Sequence, residues 1–235
     1  MKVAVIGAGN LGSALAKNAS KSVEVIALKR RPERIEGVKV VTRVDEVEDC
    51  DVFFICLKPN VFRENLRAIG NLVKDEPVVS FAAGVKLDEM MKHIKNAYRA
   101  MTNIAIEERS ILAYYPPEAY DHLSFLDAEF IECKSERELD VMTAYIGSSP
   151  AIVAYLLHSF ILSALRDGLD YERSLNMAVE IFKASADLYK KHGLEQIVKK
   201  IATPGGTTIE GIIEIFSGSG LINALAKTAQ KARRI

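Results

Sequence analysis

Two stretches of this sequence carry residue types at a spacing that could do chemistry. The first is Gly7-Ala8-Gly9-Asn10-Leu11-Gly12, glycines in the pattern G-x-G-x-x-G. Gly7 would permit a tight turn, Gly9 would let the backbone approach a phosphate, and Gly12 would let a helix pack closely on a strand. The context agrees, because the apolar Lys2-Val-Ala-Val-Ile6 precedes the glycines and the small-residue Ser13-Ala-Leu-Ala16 follows them. Bare N–H groups and the positive end of a helix would then face one point, which predicts a dinucleotide site. The second stretch is Thr203-Pro-Gly-Gly-Thr-Thr208, set between a short helix ending near Ile201 and another starting near Thr208. Thr207-x-x-Glu210 reads as a capping box that fixes the helix start. Threonine hydroxyls, free N–H groups and a helix N-terminus would hold a carboxylate there. An ordinary loop with a cap is the plainer reading of the same residues.

Other positions refine the first site. Residues 23–28 make a second apolar strand, at whose end an NAD site usually places Asp or Glu for the ribose hydroxyls. Here Lys29-Arg30-Arg31-Pro32 stands instead. Three cations and no carboxylate predict a 2′-phosphate, and so NADPH, with NADH accepted more weakly; a solvated basic turn is the alternative. Residues 51–57 form another buried strand that halts at Lys58-Pro59, on the carboxyl edge where such sheets bind ligands. Lys58 reads as a strand-end contact near the cofactor rather than as a general base.

The elements that must position these residues alternate. A helix over residues 61–73 places Phe62, Leu66, Ile69 and Val73 on one face. A strand over 77–81 leads into the tight loop Ala82-Ala83-Gly84, and a strand over 97–100 into Met101-Thr102-Asn103. Residues 111–115 and 129–133 read as late edge strands, separated by Pro116-Pro117. This alternation predicts an α/β fold, an N-terminal Rossmann-type doubly wound parallel sheet over residues 1–134. From residue 135 only helical periodicity remains, which predicts an all-helical domain over 135–235. Ser149-Pro150 offers an N-cap and a proline at the first helical position. The helix behind it, residues 151–165, is hydrophobic nearly all round and has to be covered on every side, which calls for a second chain; a self-contained helical bundle packed on its own Rossmann domain is the alternative. A long helix over 172–192 closes at Lys190-Lys191-His192-Gly193, as dipole and C-cap preferences favour.

In their order along the chain, six motifs resemble those of pyrroline-5-carboxylate reductases: the glycine turn, Leu57-Lys-Pro59, Ser80-Phe-Ala-Ala-Gly84, Arg99-Ala-Met-Thr-Asn103, Gly147-Ser-Ser-Pro-Ala151 and Thr203-Pro-Gly-Gly-Thr-Thr208. The resemblance spans nearly the whole chain, and the last motif is the most specific. It implies transfer of a hydride from NADPH to the cyclic imine 1-pyrroline-5-carboxylate, giving L-proline in the last step of proline biosynthesis. It implies a helical domain that forms an intertwined homodimer, or a larger homo-oligomer built from dimers, with the active site shared between subunits. By the same resemblance Thr203, Gly206, Thr207 and Thr208 bind the substrate's carboxylate and ring nitrogen, with the Thr208 hydroxyl as candidate proton donor. Leu57, Lys58, Pro59 and Ala83 then line the cofactor alongside Gly7, Gly9, Asn10, Leu11, Gly12, Lys29, Arg30 and Arg31. The chain departs from the family pattern in three ways. Met-Pro-Asn becomes Met101-Thr102-Asn103, Gly-Ser-Gly-Pro-Ala-Tyr becomes Gly147-Ser-Ser149-Pro-Ala-Ile152, and the chain is shorter, chiefly after the second strand and around residues 115–130. An NADP-dependent reductase of another cyclic imine, and an NADP-binding protein without turnover, are the rival readings.

Composition bounds the rest. The 235 residues carry 31 Lys plus Arg against 31 Asp plus Glu, a balance that gives nucleic acid or an acidic membrane no electrostatic hold. The first strand starts at residue 2 and leaves no room for a signal peptide, and the apolar stretch 151–165 is too short to cross a bilayer. Cys50, Cys56 and Cys133 are odd in number and widely spaced, so no disulfide framework or metal site is expected, and Cys56 reads as an inert core residue. His93, His122, His158 and His192 are scattered, and no H-E-x-x-H or G-x-S-x-G occurs. His158 reads as a core or interface residue of the apolar helix. A cytoplasmic soluble enzyme with a small-molecule substrate is the expectation.

Overall fold

The computed structural model describes residues 1–223, 225 and 226. The chain forms two compact units, residues Met1–Pro150 and Ala151–Ile235. In the first, eight strands make one sheet: β1 Lys2–Ile6, β2 Glu24–Leu28, β3 Lys39–Val41, β4 Val52–Ile55, β5 Val78–Ser80, β6 Ala97–Met101, β7 Ser110–Tyr115 and β8 Ala128–Glu132. Their order is β3-β2-β1-β4-β5-β6-β7-β8. From β3 to β6 every pairing is parallel, with Val3 beside Val25 on one side and Val52 on the other. The reversal of strand order between β1 and β4 is the switch point at which such sheets bind ligands.

The strands read as continuous apolar runs because both faces are covered. Alternate residues go to opposite sides: Val3, Val5 and Phe54 pack with Leu15 of helix α1 (Asn10–Ser20), while Ala4, Ile6, Phe53 and Ile55 pack with Phe62 and Leu66 of α2 (Pro59–Leu72). Burial of one such Phe or Leu contributes about 1.5–3 kcal/mol. Asn18 of α1 is 1 % exposed and fully engaged. Its amide donates to the carbonyls of Ile106 at 2.6 Å and Asp127 at 3.1 Å, and its Oδ1 accepts from the Asp127 N–H at 3.0 Å.

Two features depart from a uniformly parallel sheet. Strand β7 runs antiparallel to β6, and β8 is parallel to β7. A parallel crossover needs a dozen or more residues, and the link from Met101 to Ser110 is too short for one; it folds instead as a 3₁₀ turn, Ile104–Glu107. Helix α3 (Leu87–Met90) completes the α2 side.

The helical region begins earlier than Ser149-Pro150. Ser135 is the N-cap, its hydroxyl accepting from the Glu138 N–H at 3.2 Å, and α4 (Glu136–Met142) runs through a π turn (Thr143–Gly147) into α5 (Ser148–Arg166). The expected helix start at Ser149-Pro150 is thereby corrected. Pro150 lacks the N–H that would meet the Ile146 carbonyl, and the Asn103 side-chain amide donates to that carbonyl instead, at 3.1 Å. The resulting run, Glu136–Arg166, spans 31 residues and is the one helix among the described residues long and apolar enough to cross a membrane by length and composition. It is longer than residues 151–165 alone predicted.

Helix α4 is tied to the sheet by charge. Arg99 on β6, with a side chain 2 % exposed, donates Nη1 to Glu136 Oε1 at 2.6 Å and Nη2 to Asp140 Oδ1 at 3.0 Å. Lys86 pairs with the other oxygen of Asp140, and the Leu87 N–H donates to Glu136 Oε1 at 2.8 Å.

In the second unit α6 spans Tyr171–Ile201, N-capped by Asp170, whose carboxylate accepts from the Arg173 N–H at 3.0 Å. Gly193 interrupts it at φ 69° and ψ 169°, where the sequence places a C-cap glycine, so two helices meet there at a kink. Phe160 and Phe182 pack edge to face with centroids 5.5 Å apart. Much of the apolar surface of α5 and of α7 (Thr207–Phe216) is uncovered in the single chain: Ile152 is 61 % exposed, Tyr155 72 % and Phe216 83 %.

Candidate active site

The glycine turn builds its cradle from backbone. Gly7 sits at φ +92°, a conformation that side chains resist, and its N–H donates to the Leu28 carbonyl at 3.2 Å. A Cβ on Gly12 would lie 2.6 Å from the Gly7 oxygen, so helix and turn touch there. A Cβ on Gly9 would meet no protein atom within 4 Å, which leaves the space over the helix start open. Gly9 is the N-cap of α1 and provides no side-chain acceptor, and the first turn carries no acidic residue. Uncapped N–H groups and the helix dipole at that point fit a phosphate. An open cleft of about 490 Å³ lies over this turn, lined by Ala8, Gly9, Asn10, Ser13, Lys29 and Glu33 among others.

The basic strand end differs from its sequence reading. A carboxylate is present: Glu33 Oε2 accepts from Lys29 Nζ at 2.8 Å, and both side chains line the cleft. The Lys29 hydrogen bond holds the Glu33 carboxyl below its ordinary pKa. Arg30 and Arg31 are exposed and lie outside the cleft lining, because the chain turns away after Lys29. Sequence spacing does not reveal Glu33, which stands four residues past the strand-end position that the NAD pattern gives to a carboxylate. Ile104 and Glu107, from the 3₁₀ turn after β6, also reach the cleft and were missed. Only the long-range packing of that turn beside α1 reveals them.

The other cofactor candidates lie on the carboxyl edge of the same sheet. Leu57 packs against the turn, its Cδ2 being 2.7 Å from where a Gly7 Cβ would stand. Lys58 is the N-cap of α2 with Pro59 at its first position, so the proline stops β4 and opens the helix. Ala83 is exposed at the tip of the loop after β5. The following Gly84 adopts φ +70°, and its carbonyl accepts from Arg63 Nη2 at 2.6 Å while Glu89 holds the same guanidinium at 2.9 Å. Arg63 and Glu89 are thus positioning residues that sequence reasoning did not single out. Leu11 packs into the core on the α1 side.

The threonine turn belongs to the second unit. Gly205 has φ +68°, and the Gly206 N–H donates to the Thr203 carbonyl at 2.9 Å. A Cβ on Gly206 would run into Thr203 Oγ1. The capping-box expectation is corrected, because Gly206 is the N-cap, without a side-chain cap, and Thr207 is the first helical residue. The extended backbone of Gly206 lets the helix begin one residue early. The N–H groups of the first turn therefore stay free of protein side-chain caps, with the hydroxyls of Thr207 and Thr208 beside them. Such a turn can take a carboxylate on backbone N–H groups and give a proton from a hydroxyl.

The thiols are poor nucleophiles. Desolvation raises Cys56 and pushes Cys50 up to about 11, and Cys133 is buried and raised for the same reason. His158 is exposed on α5 in the single chain. Among the described residues no group of three or more His, Cys, Asp or Glu could hold a metal ion.

Residues 136–235 match the family described as "Pyrroline-5-carboxylate reductase dimerisation", and residues 2–84 match "NADP oxidoreductase coenzyme F420-dependent". The Aquifex aeolicus pyrroline-5-carboxylate reductase is 27 % identical over an alignment covering 100 % of this chain and 97 % of its own. The Escherichia coli enzyme of that name is 26 % identical, with 100 % and 98 % covered. The chain is similar over its whole length to pyrroline-5-carboxylate reductases, and its residues 136–235 belong to their dimerisation family. Its fold is shared by the Plasmodium falciparum pyrroline carboxylate reductase crystallised with NADP bound, at a TM-score of 0.84 and 20 % identity, covering 98 % of this chain and 97 % of that one. It is shared as well by the Streptococcus pyogenes 1-pyrroline-5-carboxylate reductase, at 0.78 and 24 %, covering 100 % and 99 %. The chain's departure from that family's pattern at Thr102 has a local explanation. Thr102 is 2 % exposed, and its hydroxyl donates to the Ile111 carbonyl at 2.8 Å, pinning β6 to β7 where a proline could not.

Proposed function

We propose that this chain reduces 1-pyrroline-5-carboxylate to L-proline with NADPH, accepting NADH more weakly, and that Thr203–Thr208 holds the substrate. Similarity to that family over the whole chain, which keeps both the glycine cradle and the threonine turn, carries the reading. In it, residues 1–134 serve the cofactor and residues 135–235 serve substrate and dimer. When bound, the reduced nicotinamide supplies the hydride. The protein's own part is placement. The uncapped N–H groups at the start of α1 take the pyrophosphate, and Leu57, Lys58, Pro59 and Ala83 line the cofactor at the sheet edge. In the threonine turn, N–H groups at the start of α7 take the substrate carboxylate, and the Thr208 hydroxyl donates a proton toward the ring nitrogen as it becomes an amine.

The uncovered apolar side of α5 and α7 is part of the same proposal. It serves as the interface with a second copy, making a homodimer or a larger homo-oligomer built from dimers, in the cytoplasm and without a nucleic-acid partner. The match of residues 136–235 to a dimerisation family favours a second copy over a bilayer as the cover for this side. Mixing the purified protein with 1-pyrroline-5-carboxylate and NADPH, and following loss of the reduced-nicotinamide absorbance together with proline formation, tests the activity. Absence of proline under conditions where NADPH binds would reject it.

A further inference from the structure

The cofactor cleft contains an ion pair that any dinucleotide must meet. Lys29 directly follows β2 with its side chain 15 % exposed, whereas Glu33, its partner at 2.8 Å, is 67 % exposed. The lysine is fixed beside the glycine turn, and the carboxylate is free to swing into solvent. Among the described residues that line the cleft Lys29 is the one cation, Arg30 and Arg31 lying outside the lining, and Glu33 already matches its charge. A ribose 2′-phosphate needs Lys29 and gains little from a cation that a carboxylate still holds. A ribose 2′-hydroxyl makes no such demand and can donate to a carboxylate.

We propose that Glu33 sets the cofactor preference of this chain by competing with the ribose 2′-phosphate for Lys29, so that it narrows the margin of NADPH over NADH. The proposal deepens the NADPH reading above. Binding of NADPH exchanges the Glu33 carboxylate for the phosphate at Lys29 Nζ and leaves the displaced carboxylate close to a like charge. Binding of NADH leaves the pair intact.

The test is titration of the full-length protein with NADPH and with NADH, following nicotinamide fluorescence, with no imine present. Glu33→Gln keeps the size and removes the charge, and should tighten NADPH roughly three- to tenfold while moving NADH less than about twofold. Glu33→Ala should do the same. Lys29→Met should weaken NADPH at least about tenfold and leave NADH nearly unchanged. An unchanged NADPH-to-NADH ratio in Glu33→Gln and Glu33→Ala overturns the proposal, as does weaker NADPH, or a loss confined to NADH. Because no imine is present, a protein that shows the expected ratios yet makes no proline would reject the proposed activity and leave this inference standing.

Discussion

Replacing Asn103 by Ala tests how the helical run passes Pro150. The Asn103 side chain makes two hydrogen bonds with described residues: its Oδ1 caps the 3₁₀ turn by accepting from the Ala105 N–H at 2.9 Å, and its Nδ2 serves the Ile146 carbonyl at 3.1 Å. Loss of a cap costs about 1 kcal/mol, and loss of a donor to a helix carbonyl about another 1. Asn103→Ala should therefore destabilise by about 2 kcal/mol in total. In a Pro150→Ala background the restored N–H at residue 150 can donate to Ile146, so only the cap is lost and the cost falls to about 1 kcal/mol. The double-mutant cycle should show a coupling of about 1 kcal/mol. Urea unfolding of the four proteins by circular dichroism, at one protein concentration because association shifts midpoints, measures it. Equal costs of Asn103→Ala in both backgrounds, within about 0.3 kcal/mol, would refute the compensation.

Thr208→Ala should lower turnover at least about tenfold, the range of a lost general acid, with NADPH affinity unchanged by fluorescence titration; wild-type kcat would remove Thr208 from the site. Gly206→Ala should cost stability as well as turnover, since its Cβ meets Thr203; an unchanged melting temperature would contradict that geometry. Burial pushes the Asp140 carboxyl up, but the hydrogen bonds from Lys86 and Arg99 outweigh it and leave its pKa lowered. Its stabilisation is therefore full above about pH 4, the unfolded carboxylate value, and is lost as pH falls through the folded one. Asp140→Asn should flatten that acid limb of the stability–pH curve, and an identical limb in the variant would show that the cluster does not titrate as described. Sedimentation velocity should give a dimer or a multiple of dimers at all accessible concentrations, and Tyr155→Glu, on the uncovered side of α5, should shift it toward monomer.

What the sequence made legible was local. The glycine spacing, the strand ending at Ile6 and the break at Gly193 each depend on a few adjacent residues, and each stands where the pattern places it, whereas the strand expected over 51–57 stops at Ile55. The reversal of β7 was hidden because alternating apolar runs give strands but no direction. The helix across Pro150 was hidden because its missing hydrogen bond is supplied from Asn103, 43 residues before the carbonyl it serves. The start of α7 was misplaced by one residue because a capping-box pattern and a glycine N-cap look alike until the backbone angles are known. Glu33 was legible only as one more charge in a basic stretch, since its pairing with Lys29 depends on how the chain turns after β2.

The Arg99 cluster has a consequence for dividing the chain. A fragment cut at residue 134, where the alternating pattern ends, would keep the sheet and lose Glu136 and Asp140, leaving a desolvated guanidinium with no anion. Stranding one partner of such a buried pair costs about 3–5 kcal/mol, a large share of what holds a domain of that size. A nucleotide-binding fragment made for crystallography or for chimaeras should therefore carry α4 with it. The polypeptide that folds as a nucleotide-binding module is longer than the sequence pattern of that module, and its last stitch is electrostatic.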